Sequence, residues 1–336
     1  MFQHILVPLD GSSRAEQVLP VAVRLARASK GTITLLTVIS MAPEAASYYM
    51  TGPFLPQTVF KQDLIASRNY LDQVAQRSDL AGITLEKQVD LGDPAETILS
   101  YTEKHPVDLV VISSHGYTGM KRWLLGSVAE KIARHAPVPV LILRDGELLR
   151  THTRFDGMGA VRALVPLDTS ARSQDAIPPA ADLVAALSSS EHGQLQLTQI
   201  VVVPEGANEM EKNELLHAAK QNLDAIGQSI REGLVAHVGP DLHLVLSWAV
   251  SMDSDIAEGI VRMAENGEQT ADSGGAERCD LIAMTTHGIT GIHRWTTGSI
   301  TERVLHATRL PLLIVRPADM VEKERRQRES QTPAPV

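Results

Sequence analysis

Short aliphatic runs alternate with longer stretches in which apolar residues recur every three or four positions, and the alternation continues along most of the chain. In the first half, 5–9, 33–39, 84–89, 109–113 and 138–143 are runs of strand length. Most are apolar at successive positions, the pattern of strands covered on both faces. Between them, Ala15, Val18, Leu19, Ala22, Val23 and Ala26 fall at helical spacing, as do Leu64, Tyr70, Leu71 and Val74. Helices also fit 94–105, with Pro94 suited to a first turn, and 126–135. Pro20 falls inside the first helical pattern, where a proline costs about 3 kcal/mol if nothing compensates, so a tolerated kink is expected. The second half follows the same plan, with strands at 164–167, 195–203, 242–248, 281–285 and 312–315.

Strand–helix alternation calls for a parallel sheet with right-handed crossovers and helices on both faces. Any ligand crevice then lies beyond the strand C-termini, where strand order reverses. The chain also repeats itself. Leu6-Val7-Pro8-Leu9-Asp10 recurs as Leu164-Val165-Pro166-Leu167-Asp168, and the segment from His115 to Ser127 pairs with that from His287 to Ser299 at eight of thirteen positions. The expected architecture is α/β: two repeated five-stranded parallel-sheet domains. They span 1–146 and 161–317, joined by a linker at 147–160 near Gly146, Gly157 and Gly159. The tail 318–336, rich in Glu, Arg and Gln, offers too little apolar surface to fold and is expected to be disordered. The glycine-rich stretch 266–276 reads as an inserted surface loop. The segment 41–56, with Tyr48, Tyr49 and Phe54, reads as a long loop covering the sheet edge, a lid or partner surface being the alternative.

Composition sharpens this. The 336 residues suffice for two domains, and with aromatics at only 4% the cores must be filled by aliphatic and alanine side chains. A net charge of −9 repels phosphate backbones, so nucleic acid is not expected as a partner. The single cysteine, Cys279, excludes an intramolecular disulfide and any multi-cysteine zinc site, and fits a reducing compartment. The start, Met1-Phe2-Gln3-His4-Ile5, lacks the pattern of a secretory signal, and no apolar run is long enough to span a membrane. A cytoplasmic protein is expected.

Residues 113–127 carry the first candidate chemistry. A strand ends at Ser113, a loop with Gly116 and Gly119 follows, and a helix begins at Gly126-Ser127-Val128. Glycines let backbone approach a ligand, and the first amides of a helix are unsatisfied donors at the positive end of its dipole, which is the logic of an anion site. The same residues also suit tight turns and a helix cap. Asp10 and Asp168 close the first strand of each half, where a carboxylate can accept hydrogen bonds from ribose hydroxyls or cap the next helix. No Gly-x-x-x-x-Gly-Lys-Ser/Thr or His-Glu-x-x-His motif is present. His115 and His287 suit backbone hydrogen bonds better than metal binding, and Trp123 and Trp295 suit packing or dimer contacts better than base stacking.

Taken together, Val7-Pro8-Leu9-Asp10-Gly11-Ser12, Gly92-Asp93-Pro94, His115-Gly116, Gly126-Ser127 and Pro137-Val138-Pro139-Val140 resemble the universal stress protein family, as do Val165-Pro166-Leu167-Asp168, His287-Gly288, Gly298-Ser299 and Pro311-Leu312-Leu313. The resemblance implies a Rossmann-like fold of the adenine nucleotide alpha hydrolase type. The family's ATP-binding branch carries Gly-x-x-Gly, nine residues, then Gly-Ser or Gly-Thr. Here Gly116 and Gly288 keep that spacing, but Ser113 and Thr285 replace the first glycine. A side chain there either crowds a nucleotide or adds a hydrogen bond to it.

By resemblance, the backbone of Val38 contacts adenine, Asp10 faces ribose or base, and Gly116, Gly126, Ser127 and Val128 cradle the phosphates. Ile200, Asp168, Gly288, Gly298, Ser299 and Ile300 are the counterparts in the second half. That half departs further, Ser251-Met252-Asp253 standing for Gly92-Asp93-Pro94, and its site is expected to be weaker. The implied ligand is ATP, or ADP or AMP, with Mg²⁺ a candidate companion because the motif supplies few cations. The implied role is a nucleotide-dependent signalling or binding protein of the stress response. An interaction scaffold with empty crevices, or an enzyme with at most slow ATP hydrolysis or phosphotransfer, are the alternatives. No general base is evident for the latter. Pairing of 138–143 with 312–315 would satisfy both edges and make the chain an intrachain pseudo-dimer, with a homodimer of chains also open.

Overall fold

The computed structural model of the protein describes residues 1–40, 57–114, 125–144, 160–188, 193–235, 238, 244–267, 278–286 and 299–331. They fall in two compact units, Met1–Asp145 and Gly146–Val336. In the first, β1 His4–Pro8, β2 Thr32–Ile39, β3 Thr84–Leu91, β4 Leu109–Ser113 and β5 Val140–Leu143 pair in parallel in the order β3-β2-β1-β4-β5. Its described helices are α1 Ser13–Glu16, α2 Leu19–Ser29, α3 Gln57–Ala75, α4 Pro94–Lys104 and α5 Ser127–His135. The second unit repeats the order as β8-β7-β6-β9-β10, again parallel, from β6 Arg162–Pro166, β7 Gln194–Val201, β8 Val245–Met252, β9 Leu281–Thr285 and β10 Leu312–Val315. A 3₁₀ stretch, Ala171–Ala176, stands in the place of α1. It is followed by α6 Ile177–Leu187, α7 Glu209–Arg231, α8 Ile256–Asn266, α9 Ser299–Ala307 and α10 Ala318–Gln331. The α/β class expected from the alternation is the one observed.

Successive strand residues point to opposite faces, so a run buried at every position must be covered on both. Ile5, Leu6 and Val7 are at most 1% exposed, and Ala163, Leu164 and Val165 are wholly buried. Right-handed crossovers put α2 and α3 on one face and, after the order reverses, α4 and α5 on the other, where those two helices touch. β3 and β8 end their units' strand order and are largely half-exposed or exposed. Among the described residues no helix is long and apolar enough to cross a membrane.

Three local expectations change. Pro20 does not kink a helix. The chain makes one turn, α1, breaks at Gln17 and Val18, and starts again at Leu19, so Pro20 occupies the first turn of α2. First-turn amides have no intrahelical acceptor, and proline's missing N–H costs nothing there. Pro178 plays the same part in α6. Strand β8 runs to Met252 rather than ending at Trp248, because its register with β7 carries on through Val201↔Met252.

The third correction concerns the tail. Residues 318–331, expected to be disordered, form α10. Their Glu, Arg, Lys and Gln residues are good helix formers. Arg326 pairs with Glu322 one turn away, Arg316 reaches Glu324 at 2.5 Å, and the Ala318 N–H donates to Asp175 Oδ2 at 2.9 Å. Residues 147–159 of the expected linker 147–160, residues 268–276 of the expected insertion 266–276, and the segment 41–56 lie outside the described residues.

The placement of Pro20 has a direct consequence. Pro20→Ala is expected to change stability by no more than about 0.5 kcal/mol, whereas Ala26→Pro, in the interior of the same helix, costs roughly 3 kcal/mol. Denaturant unfolding followed by circular dichroism measures both.

Candidate functional site

β1 and β4 are neighbours in the sheet but far apart in sequence, and they pair over only two positions, Ile5↔Leu109 and Leu6↔Val110. Beyond them the pairing between β1 and β4 stops, while each strand goes on bonding to its outer neighbour. The Leu9 N–H donates to the Leu36 carbonyl of β2, and the Ser114 N–H to the Leu143 carbonyl of β5, both at 2.8 Å. A crevice therefore opens between the C-terminal ends of β1 and β4, at the point where strand order reverses. The second unit does the same. β6 and β9 pair at Ala163↔Leu281 and Leu164↔Ile282, after which Leu167 N–H turns to Thr198 O at 2.7 Å and Thr286 N–H to Val315 O at 2.9 Å.

Asp10 and Asp168 stand on the first wall of each crevice. Asp10 Oδ1 accepts from the backbone N–H and hydroxyl of Ser12, at 3.0 and 2.6 Å, across Gly11, whose φ of 83° is left-handed. Ser12 Oγ in turn accepts from the Ala15 N–H at 3.1 Å and caps α1. Asp168 orients Ser170 in the same way, at 2.8 and 2.5 Å, and Ser170 caps the 3₁₀ stretch through the Ser173 N–H. In both units the aspartate is thus not the cap but the residue that orients it. Behind this turn in the first unit, Tyr70 donates to Glu16 Oε1 at 3.2 Å and Arg77 to Glu16 Oε2 at 3.0 Å. Burial, and then the neighbouring Glu16 carboxylate, push the Tyr70 phenol above its ordinary pKa, so it stays a donor.

The opposite wall is the end of β4 and the start of α5. Ser113 and Ser114 are buried, and the Gly126 N–H donates to the Ser114 carbonyl at 2.8 Å, bringing the two ends of the intervening loop together. Gly126 is the N-cap of α5, and no side chain there accepts from the helix's first amides. Ser127 is exposed and Val128 half-buried in the first turn, where donors and the helix dipole favour an anion. Val38 lies next to last in β2, half-buried, and its counterpart Ile200 is buried in β7. In the second unit Thr285 is buried at the end of β9, and Ser299 and Ile300 open α9. The Thr301 hydroxyl donates to the Thr285 carbonyl at 2.8 Å, a tie that Ala129 in the first unit cannot make and that no motif announced. Gly116, Gly288 and Gly298, with His115, His287, Trp123 and Trp295, lie outside the described residues.

The flank at β3 and β8 needs a correction. The Gly92 N–H donates to Ile39 O at 3.1 Å, and the Asp253 N–H to Val201 O at 3.2 Å, so Asp253 is the counterpart of Gly92 and the turn runs on through Ser254. Asp93 caps α4 and Asp255 caps α8, accepting from Glu96 and Glu258 amides at 2.9 and 3.0 Å. Each of these helix starts also meets a cation from the crevice helix. Lys131 of α5 lies 2.6 Å from Glu96 and 3.8 Å from Asp93, and Arg303 of α9 lies 2.5 Å from Asp255. The Arg303 hydrogen bond holds the Asp255 carboxyl below the usual carboxylate range. Side-chain bulk has changed places between the units. A Cβ on Gly92 would meet Thr97 Oγ1 at 2.8 Å. In the second unit a Cβ on Gly259 of α8 would meet Ile200 Cγ2 at 2.9 Å and Asp253 Cβ at 3.0 Å.

Two parallel α/β units, each with a crevice at its strand-order reversal, define a tandem Rossmann-like protein. The chain belongs to the universal stress protein family, whose model matches residues 1–144 and again 161–316. It is 30% identical over 152 residues to universal stress protein YxiE of Bacillus subtilis, an alignment covering 43% of this chain and all of that one. Among solved structures, it resembles a universal stress protein from Archaeoglobus fulgidus, with 20% identity, 93% and 98% of the two chains covered and a TM-score of 0.60. It also resembles a putative universal stress protein from Pseudomonas aeruginosa, with 16% identity, 98% of each chain covered and a TM-score of 0.63. At these identities the two structures speak to the fold.

The exchange of bulk is testable. Gly259→Ala is expected to destabilise the second unit by roughly 1–3 kcal/mol through overpacking against Ile200 and Asp253. Faster hydrogen exchange in α8, with α4 unchanged, is the measurement that checks it.

Proposed function

We propose that this universal stress protein binds ATP, or ADP or AMP, with Mg²⁺ in at least one unit, and acts in the stress response as a nucleotide-dependent signalling protein. The observation that carries the reading is the start of α5. At the mouth of a crevice, a helix begins on a glycine with no side-chain cap, its base drawn in by the Gly126–Ser114 bond, so its first amides suit an anion. The residues fit a nucleotide laid from β2 to α5. Adenine lies along the backbone at Val38, ribose hydroxyls meet Asp10, and phosphate oxygens take the amides of Ser127 and Val128 with the Ser127 hydroxyl. Bound Mg²⁺ supplies positive charge to the phosphates.

Asp10 Oδ1 already holds Ser12, which suits an orienting role better than that of a proton acceptor. Binding with little turnover is therefore the favoured reading over hydrolysis. The second crevice, with Thr301 tying α9 to β9 and Asp253 at its flank, is read as the weaker site.

Gly126→Asp separates ligand binding from folding. The φ of −66° and ψ of 144° at Gly126 accept any L-residue, and a carboxylate there can cap α5, adding a few tenths of a kcal/mol. The same carboxylate occupies the anion's place and repels phosphate. The expected outcome is a thermal midpoint unchanged or slightly raised, together with a loss of Mg-ATP affinity of about tenfold or more, read by calorimetry. The unsubstituted chain giving neither heat nor thermal shift with Mg-ATP would overturn the proposal.

A further inference from the structure

The turn that carries the crevice aspartate is braced differently in the two units. In the first, the brace comes from α3 and the turn that follows it, through Tyr70 and Arg77 on Glu16. In the second it comes from the C-terminal helix. Asp319 Oδ2 accepts from Arg172 Nε at 3.0 Å and Nη2 at 2.7 Å, and the first amide of α10, on Ala318, donates to Asp175 Oδ2 at 2.9 Å. Arg172 and Asp175 belong to the 3₁₀ stretch that begins immediately after Asp168-Thr169-Ser170, and Ser173 in the same stretch donates to Ser170 O at 2.8 Å. A pull on Arg172 or Asp175 is therefore felt at Asp168 through two or three bonded residues.

Helix α10 is suited to letting go. None of its described side chains is buried, its composition is polar apart from Ala318 and the half-buried Met320 and Val321 at its start, and among the described residues its attachments lie at that first turn and in the Arg316–Glu324 pair. Exposed ion pairs such as Arg172–Asp319, with side chains 38% and 55% exposed, hold weakly. Beyond the first turn the helix has no apolar face and so little hydrophobic reason to stay docked.

We propose that α10 is a latch on the second crevice, docked in the absence of ligand and released when an anionic ligand enters. The inference rests on the nucleotide reading above and names a regulation of that site. Docked, α10 sets the Asp319 carboxylate on Arg172, offsetting the positive charge of the stretch that follows the crevice aspartate Asp168. Released, α10 leaves that positive charge unopposed, which favours an anionic ligand in the crevice, and frees the 171–176 stretch to adjust. Latch and ligand thus favour opposite states, and linkage requires each to weaken the other by the same factor.

The test uses the full chain carrying Gly126→Asp, which leaves the second crevice as the remaining nucleotide site. Trypsin cleavage at Lys323, Arg325 and Arg326 reports release of α10, and calorimetry with Mg-ATP reports the crevice. Saturating Mg-ATP is expected to speed cleavage roughly three- to tenfold, and Asp319→Asn to speed cleavage without ligand and tighten Mg-ATP by a similar factor. Asp319→Glu, which keeps the charge, should behave like the parent. Mg-ATP binding that is indifferent to Asp319→Asn, with cleavage indifferent to Mg-ATP, would overturn the latch and leave the nucleotide reading standing. So would a Gly126→Asp chain that binds no Mg-ATP when the unsubstituted chain does. Failure of the unsubstituted chain to bind any Mg-ATP would overturn both.

Discussion

The two-residue pairing between β1 and β4, and its copy between β6 and β9, is the constraint on which the rest depends. Each of the other pairings within a unit runs over at least four positions. Were these pairings as long, the ladder would run on past Leu6 and Val110, and the ends of β1 and β4 would close on each other. Instead the ladder stops there, while β1 and β4 go on bonding to their outer neighbours β2 and β5 through Leu9 and Ser114. The gap that results is bordered by a turn on one side and a helix start on the other, both necessarily built from backbone donors and short polar side chains. Complete burial of Ile5, Leu6, Val7 and their counterparts makes the strands stiff enough for so short a pairing to hold the geometry.

Conserved geometry does not mean conserved parts. The two units share strand order, the Asp–Ser turn and an aspartate cap on the helix flanking the crevice, yet they differ in what supports each of these. Glycine and threonine at Gly92 and Thr97 become aspartate and glycine at Asp253 and Gly259, so that one side chain fills the space the other vacated. The cation on the crevice helix is Lys131 in one unit and Arg303 in the other. Each exchange is local and self-compensating, which is how a duplicated fold can change its two crevices separately without losing the sheet that places them.

What was legible in the sequence was whatever depends on short-range pattern. Buried parallel strands appear as aliphatic runs, and Leu109–Ser113, Leu281–Thr285 and Leu312–Val315 needed no adjustment. Ser113 at a strand end and Gly126 at a helix start follow from a motif that is local in sequence, whereas Asp10, expected to close the first strand, stands two residues beyond its end at Pro8. The misreadings share a different cause. Pro20 at helical spacing looks the same inside a helix as in the first turn of a new one, and the break at Gln17 has no composition of its own. Helix α10 lacks an apolar face, and part of its support comes from Arg172 and Asp175, more than 140 residues away in sequence. Thr301 bonded to Thr285, and Tyr70 bonded to Glu16, are likewise contacts between elements that no spacing encodes.

Within that frame, the start of α5 stands out as a local inconsistency. Helix α1, the 3₁₀ stretch, α4, α7 and α8 all begin on a side chain that accepts from their first turn, namely Ser12, Ser170, Asp93, Asn208 and Asp255. Helices α2 and α6 begin without one, but each continues directly from a preceding helical turn and carries a proline among the amides that would otherwise be orphaned. Helix α5 has neither device. A sequence that caps its helices this consistently has the means to cap this one, and Asn, Asp or Ser at Gly126 would do so at no backbone cost. Leaving a helix dipole and its first donors uncovered is a small sacrifice of stability, and such sacrifices collect where a ligand completes the structure. The missing cap is thus better explained by what the crevice receives than by anything the fold requires.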